Sequence, residues 1–256
     1  TTFSTFIDGT FIGASSFPAT LTSPESVHIG GGNTDGEFSN FRLSSKVVYP
    51  QVSRTSLLLN SAGTNGSSDM SGLDVSAFNT TMTSSSVVHS TAKVLPASSS
   101  SLLFNGTATM SKTGMPSLGA IDFDISLDVY PLSVGSRCIF AYISSSYGIT
   151  FFQQPDGTFA LNLGATSWSI LTGSTGALLP LSKWSNLRLT RRGGQFVMFK
   201  NGVKITSATS SLELGPITNL HVGSYNGSYQ FHGYIQNVHV VAGKALVDND
   251  FLPTFT

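Results

Sequence analysis

Ile121-Asp122-Phe123-Asp124-Ile125-Ser126-Leu127-Asp128-Val129 alternates apolar and polar residues without a fault. Successive side chains of a β-strand point to opposite faces of the sheet. The segment therefore reads as a half-buried strand, odd positions inward and even positions outward. On this reading Ile121, Phe123, Ile125 and Leu127 are core residues. Asp122, Asp124 and Asp128 lie on a solvated polar face that points to solvent or a neighbour.

The same pattern recurs further along the chain. Thr158-Phe159-Ala160-Leu161-Asn162-Leu163 places Phe159, Leu161 and Leu163 inward. It follows Ile149-Thr150-Phe151-Phe152 and the turn signal Pro155-Asp156-Gly157, which predicts a hairpin. Trp184 to Arg191 reads as a strand with Leu187 and Leu189 inward. Gly193-Gly194 turns the chain into Gln195–Lys200, and Asn201-Gly202 turns it again into Val203-Lys204-Ile205. Asn-Gly suits the positive φ angles of a two-residue hairpin. Leu220–Gly223 and Phe231–Val241 are two further strands, and no 3.6-residue period indicates a helix. Many short strands with closely spaced turns predict an all-β sandwich or barrel.

An internal repeat divides the chain. Phe3 to Gly9 reads F-S-T-F-I-D-G, and Phe196 to Gly202 reads F-V-M-F-K-N-G. Val27-His28-Ile29-Gly30 then matches Leu220-His221-Val222-Gly223, each ending 21 residues after the preceding glycine. Gly36-Glu37-Phe38-Ser39-Asn40-Phe41-Arg42-Leu43 matches the stretch from Gly233 to Val240, after a shorter loop. Residues 1–50 thus read as the C-terminal strands of a preceding, incomplete copy, and 51–256 as one complete domain. An incomplete sandwich exposes its inner face, so its cover is expected from further sequence, another chain or the second domain. The chain opens on Thr1-Thr2 without methionine, as a processed product or a piece of a longer polypeptide does.

Composition narrows the partners. Lys+Arg and Asp+Glu number 13 each, the formal net charge is zero, and 10% of residues are charged. A nucleic-acid partner needs clustered cations and is not expected. No run approaches the ~18 apolar residues of a membrane span. The one cysteine, Cys138, lies in an apolar stretch and reads as a buried, inert thiol.

The order of these segments resembles the concanavalin A-like, laminin-G-like jelly roll. The resemblance is carried by Asp122-Phe123-Asp124-Ile125 with Val129-Tyr130-Pro131, by Trp184 to Arg191, by Phe199-Lys200-Asn201-Gly202-Val203, by Val222-Gly223, and by Phe231 to Val238. The ending Lys244-Ala245-Leu246-Val247 with Phe251-Leu252-Pro253 is similar to tailed-phage fibre, tail and decoration proteins. The fold expected is an antiparallel jelly-roll sandwich of the concanavalin A-like type.

The resemblance implies three functions in order. The first is a non-enzymatic virion structural or adhesive module on the particle surface. It would contact other virion subunits, or further repeats of the same polypeptide, and host-surface glycans. The second is a secreted, extracellular carbohydrate-binding lectin domain. The third is a glycoside hydrolase. Glycosidases of this fold carry alternating carboxylates on one strand, but Ser126 stands where the set would be completed, so no catalytic residue is assigned. Sugar binding needs an aromatic platform with polar neighbours, and Tyr147, Trp168, Tyr225, Asn226 and Tyr229 are the candidates. No cofactor is expected beyond structural calcium on rim loops, for which Asp69 and Asp156 offer oxygens. No histidine pair has metal-ligand spacing; on a regular strand His232 and His239 would face opposite sides.

Overall fold

The computed structural model describes residues 2–7, 10–16 and 55–246, apart from 77, 97, 120, 145, 146, 165, 166 and 212. The chain divides into two compact units, residues 1–48 and 49–256. In the first, β1 (Thr2–Ile7) and β2 (Thr10–Ser16) form an antiparallel pair. The expected strands Val27–Gly30 and Phe38–Leu43, and the Phe251-Leu252-Pro253 exit, lie outside the described residues.

The described part of the second unit is all β. Its strands are β3 (Thr55–Leu59), β4 (Thr83–Ser85), β5 (Val88–Ser90), β6 (Ser101–Asn105), β7 (Thr109–Lys112), β8 (Phe123–Pro131), β9 (Arg137–Ile143) and β10 (Gly148–Gln153). They continue with β11 (Thr158–Leu163), β12 (Ser174–Leu178), β13 (Ser185–Arg192), β14 (Gln195–Lys200), β15 (Val203–Thr209), β16 (Asn219–Val222) and β17 (His232–Ala242). Two antiparallel sheets result. One has seven strands in the order β12-β11-β10-β9-β16-β7-β4. The other has eight, in the order β15-β14-β13-β8-β17-β6-β5, with β3 also paired to β17. This is the jelly-roll sandwich read from the sequence.

The inward residues of both sheets meet in one core. Phe123, Ile125, Leu127, Phe159, Leu161, Leu163, Leu187 and Leu189 are all buried. Phe123 meets Phe196, and Phe151 meets Phe159, in edge-to-face pairs with centroids 6.1 and 5.7 Å apart. Ile121 departs from expectation: it is 41% exposed. The strand begins only at Phe123, and the Ile121 N–H instead closes a turn onto the Leu118 carbonyl at 3.1 Å.

The polar face of β8 is also not solvated. Asp124 is 0% and Asp128 6% exposed. The Asp124 carboxylate accepts the Arg188 Nε–H at 2.9 Å and the Leu246 N–H at 3.3 Å. Asp128 accepts the side-chain amides of Asn186 and Asn237, both at 2.8 Å. Neighbouring strands and the segment after β17 carry these donors, so the two aspartates face neighbouring side chains and backbone and not open solvent. Asp122 accepts the Gly193 N–H at 2.8 Å.

The tight turns follow the expected chemistry. Asn201 and Gly202 have φ of 50° and 79°, and the Asn201 side chain accepts the Asn186 N–H at 2.8 Å. A Cβ at Gly233 would meet the Tyr130 carbonyl, which is why that strand crossing takes glycine. β17 is irregular between Gln236 and His239, with Asn237 at φ 53°. Ile235 and Val238, three residues apart, therefore both enter the core. The same shift cancels the face separation expected for His232 and His239.

The β1–β2 pair has the register of β14–β15 at a constant offset of 193 positions: Thr2↔Ser16 answers to Gln195↔Thr209, and Ile7↔Thr10 to Lys200↔Val203. The register shift also falls at the same place, between Thr5 and Phe6 and between Met198 and Phe199.

Candidate functional site

The hairpin β10–β11 presents two faces. Phe151 and Phe159 enter the main core, while Phe152 belongs to a second, small apolar cluster with Cys138, Ala141, Ile143 and Tyr225. That cluster lies on the outer face of the seven-stranded sheet. It exists because β9 takes an extra residue opposite β10: Phe151 pairs with Phe140, but Phe152 pairs with Cys138. Ile139 and Phe140 consequently both point into the core, and Cys138 faces outward. Burial raises the Cys138 thiol well above its ordinary pKa, so it is an inert part of the floor.

Over this floor stands a cavity of about 330 Å³, lined by Ser136, Thr150, Phe152, Gln154, Asn162, Trp168, Tyr225 and Tyr229. Its size falls at the lower end of small-ligand pockets. Trp168 comes from the β11–β12 connection, and the two tyrosines from the β16–β17 connection. Phe152 meets Tyr225 and Tyr229 with centroids 6.2 and 5.5 Å apart, and the tyrosines meet each other at 6.5 Å. Tyr147 packs edge-on against Trp168 at 5.4 Å.

The tyrosines are carried by a tight hairpin. Tyr225 and Ser228 exchange both backbone hydrogen bonds at 2.8 Å, and Asn226 and Gly227 turn the chain at φ 45° and 80°. Asn226 is thus the exposed tip of the turn and not part of the lining. Tyr229 follows at φ 54°, an uncommon conformation for a bulky residue. Its carbonyl accepts the Cys138 N–H at 2.7 Å, and the next carbonyl, of Gln230, accepts the Arg137 guanidinium at 2.8 Å.

The polar part of the wall is oriented. The Asn162 amide donates to Thr150 Oγ1 at 3.0 Å, while its oxygen accepts Thr172 Oγ1–H at 2.8 Å and the Gly173 N–H at 3.1 Å. Burial first, then Cys138, Tyr147 and Tyr229, raise the Tyr225 phenol above its usual pKa, so it stays neutral and can donate or accept. Among the described lining residues there is no Asp, Glu, His, Lys or Arg. The site can therefore stack on a ring and exchange neutral hydrogen bonds with hydroxyl groups.

The structure thus gathers Trp168, Tyr225 and Tyr229, with Tyr147 behind Trp168. Ser136, Thr150, Phe152, Gln154 and Asn162 were missed in the sequence. Phe152 had a readable signal, being an aromatic on the outward parity of a strand whose inward residue is Phe151. The two oxygen-rich positions stay apart from this wall. Asp69 Oδ1 accepts the Ser71 N–H at 2.9 Å. Asp156 Oδ1 accepts the Thr158 N–H at 2.9 Å and its hydroxyl at 2.7 Å. These donors lower both carboxyl pKa values. Among the described residues no three His, Cys, Asp or Glu side chains group together. No helix among them is long and apolar enough to cross a membrane.

A laminin-G-like family model, described as the concanavalin A-like lectin/glucanases superfamily, matches residues 104–249, more than half the chain. The chain belongs to this superfamily. No curated protein sequence matches it. Among solved structures, this superfamily member is similar to domain 4 of AbnA, a GH43 extracellular arabinanase from Geobacillus stearothermophilus, in complex with arabinotriose. That match has a TM-score of 0.59 at 17% identity, over 75% of this chain and 93% of the other. It is also similar to the binding domain of botulinum neurotoxin DC in complex with SialylT (TM-score 0.53, 14% identity, 77% of this chain and 50% of that one). The same domain with rat synaptotagmin II gives a TM-score of 0.52 at 13% identity, over 76% and 49%. At these identities the likeness is one of fold, and the chain spans about half of each neurotoxin domain.

Proposed function

We propose that this superfamily member is a non-enzymatic, adhesive carbohydrate-binding module whose ligand docks on the outer face of the seven-stranded sheet. The observation that carries the reading is the joining of Phe152, Trp168, Tyr225 and Tyr229 with Thr150, Asn162 and Gln154 in one cavity. Aromatic walls stack on the apolar face of a sugar, while hydroxyl and amide groups fix its orientation. Glycan-bearing structures among the similar folds support the reading.

The absence of chemistry is part of the proposal. Glycoside hydrolysis uses two carboxylates facing each other across the bond. No carboxylate is among the described residues that line this cavity, and Asp124 and Asp128 are engaged by Arg188, Asn186 and Asn237. As setting we retain the virion surface implied by the sequence resemblance, with other subunits or further copies of the domain as neighbours. The shared register of β1–β2 and β14–β15 supports tandem copies. The second reading is a secreted lectin domain, and co-purification with particles separates the two.

The test is a glycan array probed with the chain, then each bound glycan incubated and analysed for cleavage. Binding without cleavage, lost in Trp168→Ala and Tyr225→Ala, is expected. Cleavage abolished by Asp124→Ala in a folded protein would overturn the non-enzymatic reading.

A further inference from the structure

We infer that Tyr229 is the specificity-determining wall of this site, held in a strained backbone conformation to receive an uncharged sugar ring. The inference rests on the proposed carbohydrate-binding reading and goes beyond it in naming the residue, its cost and the ligand class.

Three independent observations carry it. Tyr229 is 53% exposed at φ 54°, so a large aromatic side chain is displayed toward solvent from a conformation that disfavours it. Such strain persists only where the surroundings over-determine it, and here they do. Cys138 N–H holds its carbonyl, Arg137 holds the next one, and Phe152 and Tyr225 pack against the ring. An asparagine or glycine would meet the same backbone need without strain. The tyrosine side chain is therefore there for what it contacts on its open side.

The internal repeat supplies a second observation, at the level of sequence. Between the matched glycines the second copy reads Ser224-Tyr225-Asn226-Gly227-Ser228-Tyr229-Gln230-Phe231-His232, whereas the first reads Gly31-Gly32-Asn33-Thr34-Asp35. The flanking sequence motifs recur but the tyrosines between them do not, so the tyrosines are not part of the repeated sequence pattern. Finally, among the described residues the lining carries neither an ammonium or guanidinium to match an acidic sugar nor a carboxylate to match an amino sugar. A charged group placed there would meet no counter-ion among these side chains, and whatever hydration it gave up would go uncompensated.

The test uses the full 256-residue chain and an array of neutral oligosaccharides with their sialylated and uronate counterparts. Melting temperature is measured in parallel on Tyr229→Ala, Tyr229→Gly and Tyr229→Phe. Wild type is expected to bind neutral members and to weaken at least tenfold when the ligand's own ring carries a carboxylate. Tyr229→Ala and Tyr229→Gly should both lose at least tenfold in affinity, and Tyr229→Phe should retain most of it. The glycine variant should melt above the alanine variant, reversing the usual order. Alanine melting at or above glycine, or unchanged binding in both, overturns the role of Tyr229 while leaving the binding site standing. Preference for acidic sugars overturns the ligand class alone. No binding by wild type to any glycan overturns the underlying reading, and this inference with it.

Discussion

Arg188 donates its Nε–H to Asp124 at 2.9 Å, and the carboxylate it meets has no exposed surface. This pair turns a strand face that looks solvated into an interior one. Removing one partner of a buried pair leaves an uncompensated charge and costs ~3–5 kcal/mol. Arg188→Met is expected to lose that much in urea unfolding. A loss under 1 kcal/mol would show that the face is open to water.

The start of β8 yields a paired prediction. Phe123→Ala removes a buried ring packed on Phe196 and should cost about 3–5 kcal/mol. Ile121→Ala, two residues earlier on the same parity but exposed, should stay within about 0.5 kcal/mol. Equal costs would mean that the strand extends to Ile121.

Two aspartates should tilt the pH dependence of stability in opposite directions. For Asp74, burial works to raise the pKa, but the N–H groups of Leu58, Thr80 and Ser76 and the Ser76 hydroxyl outweigh it, and the net shift is downward. Its stabilisation is present above the ordinary 3.8 and is lost as pH falls through the folded value. For Asp128, burial dominates the opposing amides of Asn186 and Asn237, and the net shift is upward. The folded state then holds the proton longer, so this group's contribution falls as pH rises from 3.8 through the folded value. Chemical unfolding of Asp74→Asn across that range should show a weaker acid loss than wild type. Asp128→Asn should show a steeper rise of stability with pH. The reverse pattern would refute both assignments.

In the cavity wall, Asn162→Ala removes the amide held by Thr150, Thr172 and Gly173. Affinity for a bound glycan should drop at least tenfold, about 1.4 kcal/mol, by titration calorimetry. Unchanged affinity would remove Asn162 from the site.

The sandwich was legible from the order of residues alone, because alternation and turn chemistry are local. Phe123 to Leu127, Phe159 to Leu163 and Asn201-Gly202 each report their geometry within a few residues. The inward face was legible for the same reason, except at Ile121, where a turn displaced the strand start. Aromatic residues at Trp168, Tyr225 and Tyr229 were also visible, as bulky side chains in polar loops. Their meeting was not. β16 pairs non-consecutively with β9, which in turn pairs with β10, and this brings the β16–β17 turn beside Phe152. The extra residue in β9 that turns Cys138 outward has no local signature either. The aspartates of β8 make the same point. Their parity was readable, but whether that face meets water depends on Arg188, Asn186, Asn237 and Leu246, 58 to 122 residues away in the chain. Burial of a polar face is decided by what packs over it, and only the tertiary structure supplies that.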